Sequence, residues 1–255
     1  ADYWEVRQRN LIGIFGDSNA ITLDYLLRVQ GGANPLVQRA APTQEDIDDF
    51  AGTGLEPVGS IIQVIDNYRN LTPRRVSGVD LGLYYSVRNT GLGNFSLRLN
   101  AARLIDFFQE PGEAQAALIA AQAAGEIDPT INIVGAQDLV RENGRPKWRA
   151  SATFTWRYRG FGLGWYTNYV SSVVDTGASL ADGTLFRVDD HMTHSVYVQY
   201  EVDDRGSLLN DLRVRFGVRN LTNELAPLAD ATFGYLGELH SNRGRQFYAS
   251  ARMRF

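Results

Sequence analysis

The chain has three histidines and no cysteine, so any metal or nucleophile chemistry has few residues to draw on. Two of the histidines fall in "DDHMTH", where His191 and His194 flank Met192. On a helix this spacing places both rings on one face; on a strand it sends them to opposite faces. The residues around them alternate as a strand does. His191 is therefore expected on the polar face and His194 on the apolar one, with no cage between them. His240 lies in a long loop, within reach of a ligand arriving from outside. A zinc-type site needs about three or four nitrogen, sulfur or oxygen donors, so no metal site is expected. A hydrolase needs a Ser, a His and an orienting group within mutual reach. Ser195 adjoins His194, but neighbours on a strand point opposite ways, and Ser241 follows His240 without a motif. The expectation is a chain that is not an enzyme and carries no catalytic residue, metal or cofactor.

Arginine is the remaining chemical resource. Arg149, Arg157, Arg213, Arg215 and Arg219, with Arg252 and Arg254, alternate with apolar residues. A packed core cannot bury so many guanidinium groups without partners. They fit the wall of a wide, wet or plugged lumen. The net charge is only −4 and no basic cluster stands out, so a nucleic-acid partner is not expected. Acidic residues collect in the long connections (Glu110, Glu113, Glu126, Asp128, Asp138, Glu142) and read as a solvated outer surface.

The elements that carry these residues are strands. In "KWRASATFTWRYRG", Trp148, Ala150, Ala152, Phe154, Trp156 and Tyr158 interleave with Arg149, Ser151, Thr153, Thr155 and Arg157. "GVDLGLYYSVR", "NFSLRLNAARLI", "FGLGWYTNYVSS", "HMTHSVYVQYEV", "DLRVRFGVRN" and "GRQFYASARMRF" repeat the pattern. Period 2 over that length means strands with one apolar and one polar face. "DYWEVRQRNLIG" and "GSIIQVIDNYRN" are blurred strands, giving about nine in all by this pattern. "DSNAITLDYLLRVQ" reads as a helix with Asp17 or Ser18 as N-cap, and "EAQAALIAAQAAGE" as a small loop helix.

Connections alternate in length. "NTGLG", "YRGFG" and "DDRGSLLN" are short; the segments 109–146, 174–189 and 221–243 are long. Short turns at one end and long loops at the other are the construction of outer-membrane β-barrels. Strands of ten to twelve residues match the ~9–11 tilted residues that cross a bilayer. Trp148, Tyr158, Phe161, Trp165, Tyr169, Tyr200, Phe247 and Phe255 sit near strand ends on the apolar side, as an interfacial girdle requires. A soluble sandwich also alternates, but its strands average only ~5–6 residues. No apolar run reaches the ~20 residues of a membrane helix, and "ADYWEVRQRN" opens on strand-like residues without a signal-peptide pattern. "Asn-Leu-Thr" at 70–72 and 220–222 matches a glycosylation sequon but reads here as turn chemistry.

The segment "LRVRFGVRNLTNELAPL…GYLGELHSNRGRQFYASARMRF" resembles the last two strands of TonB-dependent outer-membrane receptors. The matching positions are Asn220, Leu221, Thr222, Asn223, Pro227, Gly244, Arg245 and Phe255. "DYWEV", "NLTPRRVSGVDLGLYY", "RPKWRASATFTW" and "DDHMTHSVYVQY" extend the resemblance over essentially the whole chain. It implies an all-β fold: an antiparallel transmembrane β-barrel in the outer membrane of a Gram-negative bacterium. Residues 1–255 would supply the C-terminal portion, about nine of the family's ~22 strands.

The family's plug and TonB box have no counterpart here, so an N-terminal plug and barrel portion, in the same or a separate chain, is the expected partner. The TonB system, outer-membrane lipid, lipopolysaccharide and the barrel assembly machinery are the others. The implied function is energised uptake of a scarce ligand: a ferric siderophore, a vitamin or a carbohydrate. The alternative is a small non-transporting barrel, structural or adhesive. Arg213 and Arg215 are expected to dock the plug, and Tyr248, Met253 and Phe255 resemble the family's assembly signal. Counting strands back from a periplasmic C-terminus runs the segment 2–13 downward and places the helix at 17–30 near the periplasm.

Overall fold

A computed structural model describes residues 1–180, 182–202 and 212–253. Phe255 and Arg254, and the whole of the turn "DDRGSLLN", lie outside the described residues.

The alternating segments form one antiparallel meander. Its strands are β1 (Asp2–Gln8), β2 (Arg74–Thr90), β3 (Gly93–Gln109), β4 (Trp148–Tyr158), β5 (Phe161–Val170), β6 (His191–Val202), β7 (Leu212–Arg219) and β8 (Gln246–Arg252). Each pairs with its neighbour in that order, and the two-residue strand Gln137–Asp138 beside β3 makes a nine-stranded sheet. Strands β1 and β8 do not pair with each other, so this wall is not closed on itself. No helix among the described residues is long and apolar enough to cross a membrane.

Register fixes the faces. Trp156 pairs with Leu163, which pairs with Val198 and onward with Phe216 and Ala249. One residue along, Arg157, Gly162, Gln199, Arg215 and Ser250 form the row on the other face. The apolar face stays bare: Val198 is 55% exposed, Phe216 59% and Phe247 76%. A bare apolar face running across a whole sheet has no place in water. It is the face a bilayer covers.

Aromatic side chains band the short-turn edge of that face. Tyr158, Phe161 and Tyr200 lie in one row, with the Phe161 and Tyr200 rings 4.7 Å apart. The Trp156 ring stacks near Tyr158, and its Nε1–H donates to the Leu92 carbonyl at 2.7 Å. Trp148 marks the other edge, under the Arg103 guanidinium. At ~3.4 Å per residue and a tilt of ~40°, the rise from Trp148 to Tyr158 covers roughly 26 Å, matching the ~25 Å apolar band of such walls. Trp165 departs from the girdle. It sits mid-strand opposite Phe154 and Val196, against the His194 ring.

The short connections Gly91–Leu92 and Arg159–Gly160 share one end, and the four long ones share the other. The Arg159–Gly160 turn has φ of 47° and 83°, the left-handed pair of a tight hairpin. A side chain at Gly160 would also stand 2.7 Å from the Glu201 carbonyl oxygen.

The long loops carry a small core of their own. Helix α1 (Asp17–Val29) and helix α3 (Glu113–Ala123), the latter following the six-residue α2 (Gln44–Asp49), bury Phe15, Ala20, Leu26, Val37, Leu118, Ala121 and Ile127 together. Two expectations are corrected here. The segment 59–70 is not a wall strand. Ile61–Val64 pairs with Val37–Arg39, and Arg69–Leu71 pairs with Leu11–Gly13. Residues 9–73 are therefore one long connection, and β1 pairs directly with β2. With one strand fewer, the direction of β1 reverses, and α1 lies at the long-loop end beside α3. The N-cap also differs. It is Gly16, at φ 97°, and the Asp66 carboxylate accepts from the Phe15 and Gly16 N–H groups at 3.1 and 2.9 Å, opposite the positive end of the helix dipole.

Candidate functional site: the polar face and its outer rim

The arginines singled out from sequence share the polar face. Arg157 and Arg215 lie in one row, Arg213 in the next, opposite Glu201 and Arg252, with Arg149 and Arg219 toward the long-loop edge. Their surroundings differ. Arg213 donates to Glu201 at 2.7 Å. Arg215 donates through Nε and Nη2 to the side-chain Oε1 of Gln199, at 3.2 and 2.7 Å, while stacking over Tyr197 at 4.0 Å. Arg219 lies over Tyr248 at 5.2 Å. These three are engaged within the wall. Arg157 lines a basin of about 460 Å³ with Arg88, Tyr84, Asn94 and Thr155, and among the described residues no carboxylate lines it.

The tyrosines under these cations rest on glycine. Gly164 pairs with Tyr197, Tyr197 with Gly217, and Gly217 with Tyr248. Each ring lies over the glycine of the preceding strand, so a Cβ at Gly164 or Gly217 would overlap it. An aromatic covering a strand glycine restores the packing that glycine lacks. Here it also flattens the ring so that an arginine can stack on it. Tyr248 is accordingly part of this polar-face packing, while Met253 follows the last residue of β8.

The histidines follow strand geometry. His194 lies on the apolar face, its Nδ1 2.8 Å from the Thr167 hydroxyl. His191 opens β6 on the polar face, in the row of Arg149 and Val170. His240 departs from expectation: it is only 5% exposed, with its ring 5.2 Å from that of His191. The loop folds it inward, where a ligand in the surroundings does not reach it. Among the described residues no group of three or more His, Asp or Glu side chains comes together to hold a metal.

Side-chain hydrogen bonds organise the loops above this face. Asn220 takes φ 51° and its Nδ2 donates to the carbonyls of Glu224 and Arg243, which is the turn role of that Asn-Leu-Thr. In the outer layer, Glu142 is raised above the usual carboxylate range by burial, with Arg145 opposing and Asp138 adding to it. Arg145 lies over the Phe107 ring, which Arg74 also approaches.

A single antiparallel wall with a bare apolar face, a polar arginine-bearing face and all long loops at one end defines a piece of an outer-membrane β-barrel. Residues 1–221 match the family described as TonB dependent receptor-like, β-barrel, and the chain belongs to that family. No curated protein matches it. Among solved structures it is similar to the FrpB iron transporter from Neisseria meningitidis (F3-3 variant), at 12% identity and TM-score 0.42, over 84% of this chain and 27% of that one. It is also similar to the ferric citrate transporter FecA in the unliganded form, at 15% identity and TM-score 0.37, over 72% of this chain and 28% of that one. The chain thus spans little more than a quarter of either structure.

Proposed function

We propose that this chain is the C-terminal part of the wall of a TonB-dependent transporter, which imports a scarce ligand across the outer membrane of a Gram-negative bacterium. The observation that carries this reading is the unclosed, two-faced sheet, in a chain belonging to the receptor-barrel family. Strand edges facing lipid leave N–H and C=O groups unpaired, so β1 and β8 need further strands beside them. A barrel of ~22 strands with a plugged lumen meets that need. The plug would come from an N-terminal portion that the TonB system pulls on. The bare face meets lipid and lipopolysaccharide, and Tyr248, Met253 and Phe255 serve the assembly machinery. The ligand class is a ferric siderophore, a vitamin or a carbohydrate. The test is accumulation of labelled members of these three classes by cells carrying the complete receptor. Uptake of one class that stops when TonB coupling is removed supports the reading; uptake of that class indifferent to TonB contradicts it.

Within that reading, the plug-docking charges are Arg157 and Arg88, because Arg213 and Arg215 are already engaged by Glu201 and Gln199. Each charge-assisted hydrogen bond to a plug carboxylate is worth about 1.5–3 kcal/mol. Replacing both arginines with Gln should release the plug at a clearly lower urea concentration, with ligand affinity unchanged. Unchanged plug release together with lost uptake would count against this docking role.

A further inference from the structure

We infer that His240 and His191 form an acid-released latch that holds the outer loop 221–245 against the rim of the wall. Two of the chain's three histidines meet across 49 positions of sequence, with rings 5.2 Å apart and nearly perpendicular at 81°. Both are buried, His191 at 4% and His240 at 5% exposure. Nε2 of His191 and both ring nitrogens of His240 have no hydrogen-bond partner among the described residues. Buried imidazoles are ordinarily hydrogen-bonded. An edge-to-face pair in which three of the four ring nitrogens lack a partner among the described residues suits two neutral rings better than a charged one.

The loop has three further anchors, one of them the Asp230 N–H, which donates to Asp175 Oδ2 of the hairpin at 2.9 Å. Asn220 ties its start to Glu224 and Arg243. Ala229, Leu236 and Leu239 pack with Val173, Val188 and Phe186, from the hairpin formed by Val173–Ser179 and Leu185–Val188. The Asn220 and apolar anchors carry no titrating group, so the histidine pair is the contact that responds near neutral pH. The charged groups that bear on it are Arg149 of β4, whose positive charge acts on His240, and Glu224 of the loop, whose negative charge acts on His191. Asp189 and Asp190, which precede His191, are exposed. Asp175 of the hairpin is occupied by the N–H groups of Gly177 and Asp230. Glu224 therefore opposes the release at His191 alone, while at His240 the neighbours all disfavour a proton.

The sign follows from these positions. Burial, then the neighbouring His191 and Arg149, lowers the His240 pKa to about 4, against ~6.5 for a free imidazole. The released loop takes up a proton that the docked loop refuses. Docking is then at full strength above ~6.5 and weakens up to about tenfold per pH unit down to about 4. The loop belongs to the long-loop end, which in such barrels faces the exterior, so the latch reads the pH of the surroundings.

Hydrogen exchange tests it on the complete receptor in vesicles of outer-membrane lipid, at pH 7.5 and 5.0, with times scaled for the intrinsic pH dependence. Exchange over 221–245, relative to β5, should rise at least fivefold at pH 5.0. His240→Phe keeps a ring that never ionises and should reduce that rise the most. His191→Phe, which leaves only one titrating ring, should reduce it. The same protection of 221–245 at both pH values in the unaltered receptor would overturn the latch. So would an acid response undiminished in both variants.

Discussion

Replacing Asp24 with Asn is expected to loosen the outer loop layer by about 3–5 kcal/mol, the cost of removing one partner from a buried ion pair. Asp24 is 0% exposed and lies within α1. Its Oδ2 accepts from Arg28 Nε and Arg39 Nε, each at 2.9 Å, and its Oδ1 accepts from the Asn34 N–H at 2.9 Å. Arg39 also donates to the Gly59 carbonyl, and Asn34 to that of Ala20. One carboxylate thus joins the helix, the turn after it and the strand Val37–Arg39. Asn in its place leaves two half-buried arginines without a counter-charge. Burial alone would raise the Asp24 pKa; the Asn34, Arg28 and Arg39 hydrogen bonds outweigh it and hold the group below the usual carboxylate value. With the folded pKa depressed, this contribution is complete above ~4 and disappears as pH falls through the folded value. At pH 7 the variant should show fast exchange and protease cleavage between residues 30 and 60, with the wall strands unaffected. A change under about 1 kcal/mol would mean that the layer does not depend on this ion pair.

The second large effect is expected at the glycine-tyrosine rows. Gly164→Val and Gly217→Val each place a branched side chain where a tyrosine ring lies. Overpacking of this kind costs about 1–3 kcal/mol per site. Because Tyr197 pairs with both glycines, the two changes are close enough to couple and their costs will not simply add. Displacing Tyr197 also removes the surface on which Arg215 stacks. The combined variant should lower the thermal unfolding midpoint of the folded barrel in detergent, whereas Gly52→Val, in open space at φ 82°, should alter the wall little. Equal effects at Gly52 and at the Gly164/Gly217 pair would dissociate the rows from wall stability.

Much of the wall was legible because the sheet is one layer thick. Each of β4 to β8 displays its two environments as strict alternation, and the length of the connections separates the two ends. Strands β2 and β3, 17 residues each, were legible only in their alternating middles. A register shift beside Ile105, between Ser77 and Gly78 on the partner strand, breaks the period above that point. The strand expected at 59–70 failed for a related reason. Ile61, Ile62 and Ile65 look strand-like, and Ile61 and Ile62 do form a strand, but with Val37–Arg39 in the loop layer. Composition does not say which partner a strand finds. That single misplaced strand reversed the direction of β1 and moved α1 to the wrong end.

At the candidate site the arginine face was legible from alternation. The division between engaged and available arginines was not, because Gln199 and Tyr197 become partners of Arg215 only through cross-strand register. The burial of His240 left no local trace: "ELHSN" reads as an ordinary polar loop, and its contact lies 49 residues away.

The most direct test of the central claim is electron cryo-microscopy of the complete protein extracted from outer membranes. Strands β1 and β8 are each expected to be hydrogen-bonded to a strand from outside residues 1–255, in a closed wall of about 22 strands, with a plug against Arg88 and Arg157. A barrel closed by these residues alone, with β1 paired to β8 and no plug, would contradict it.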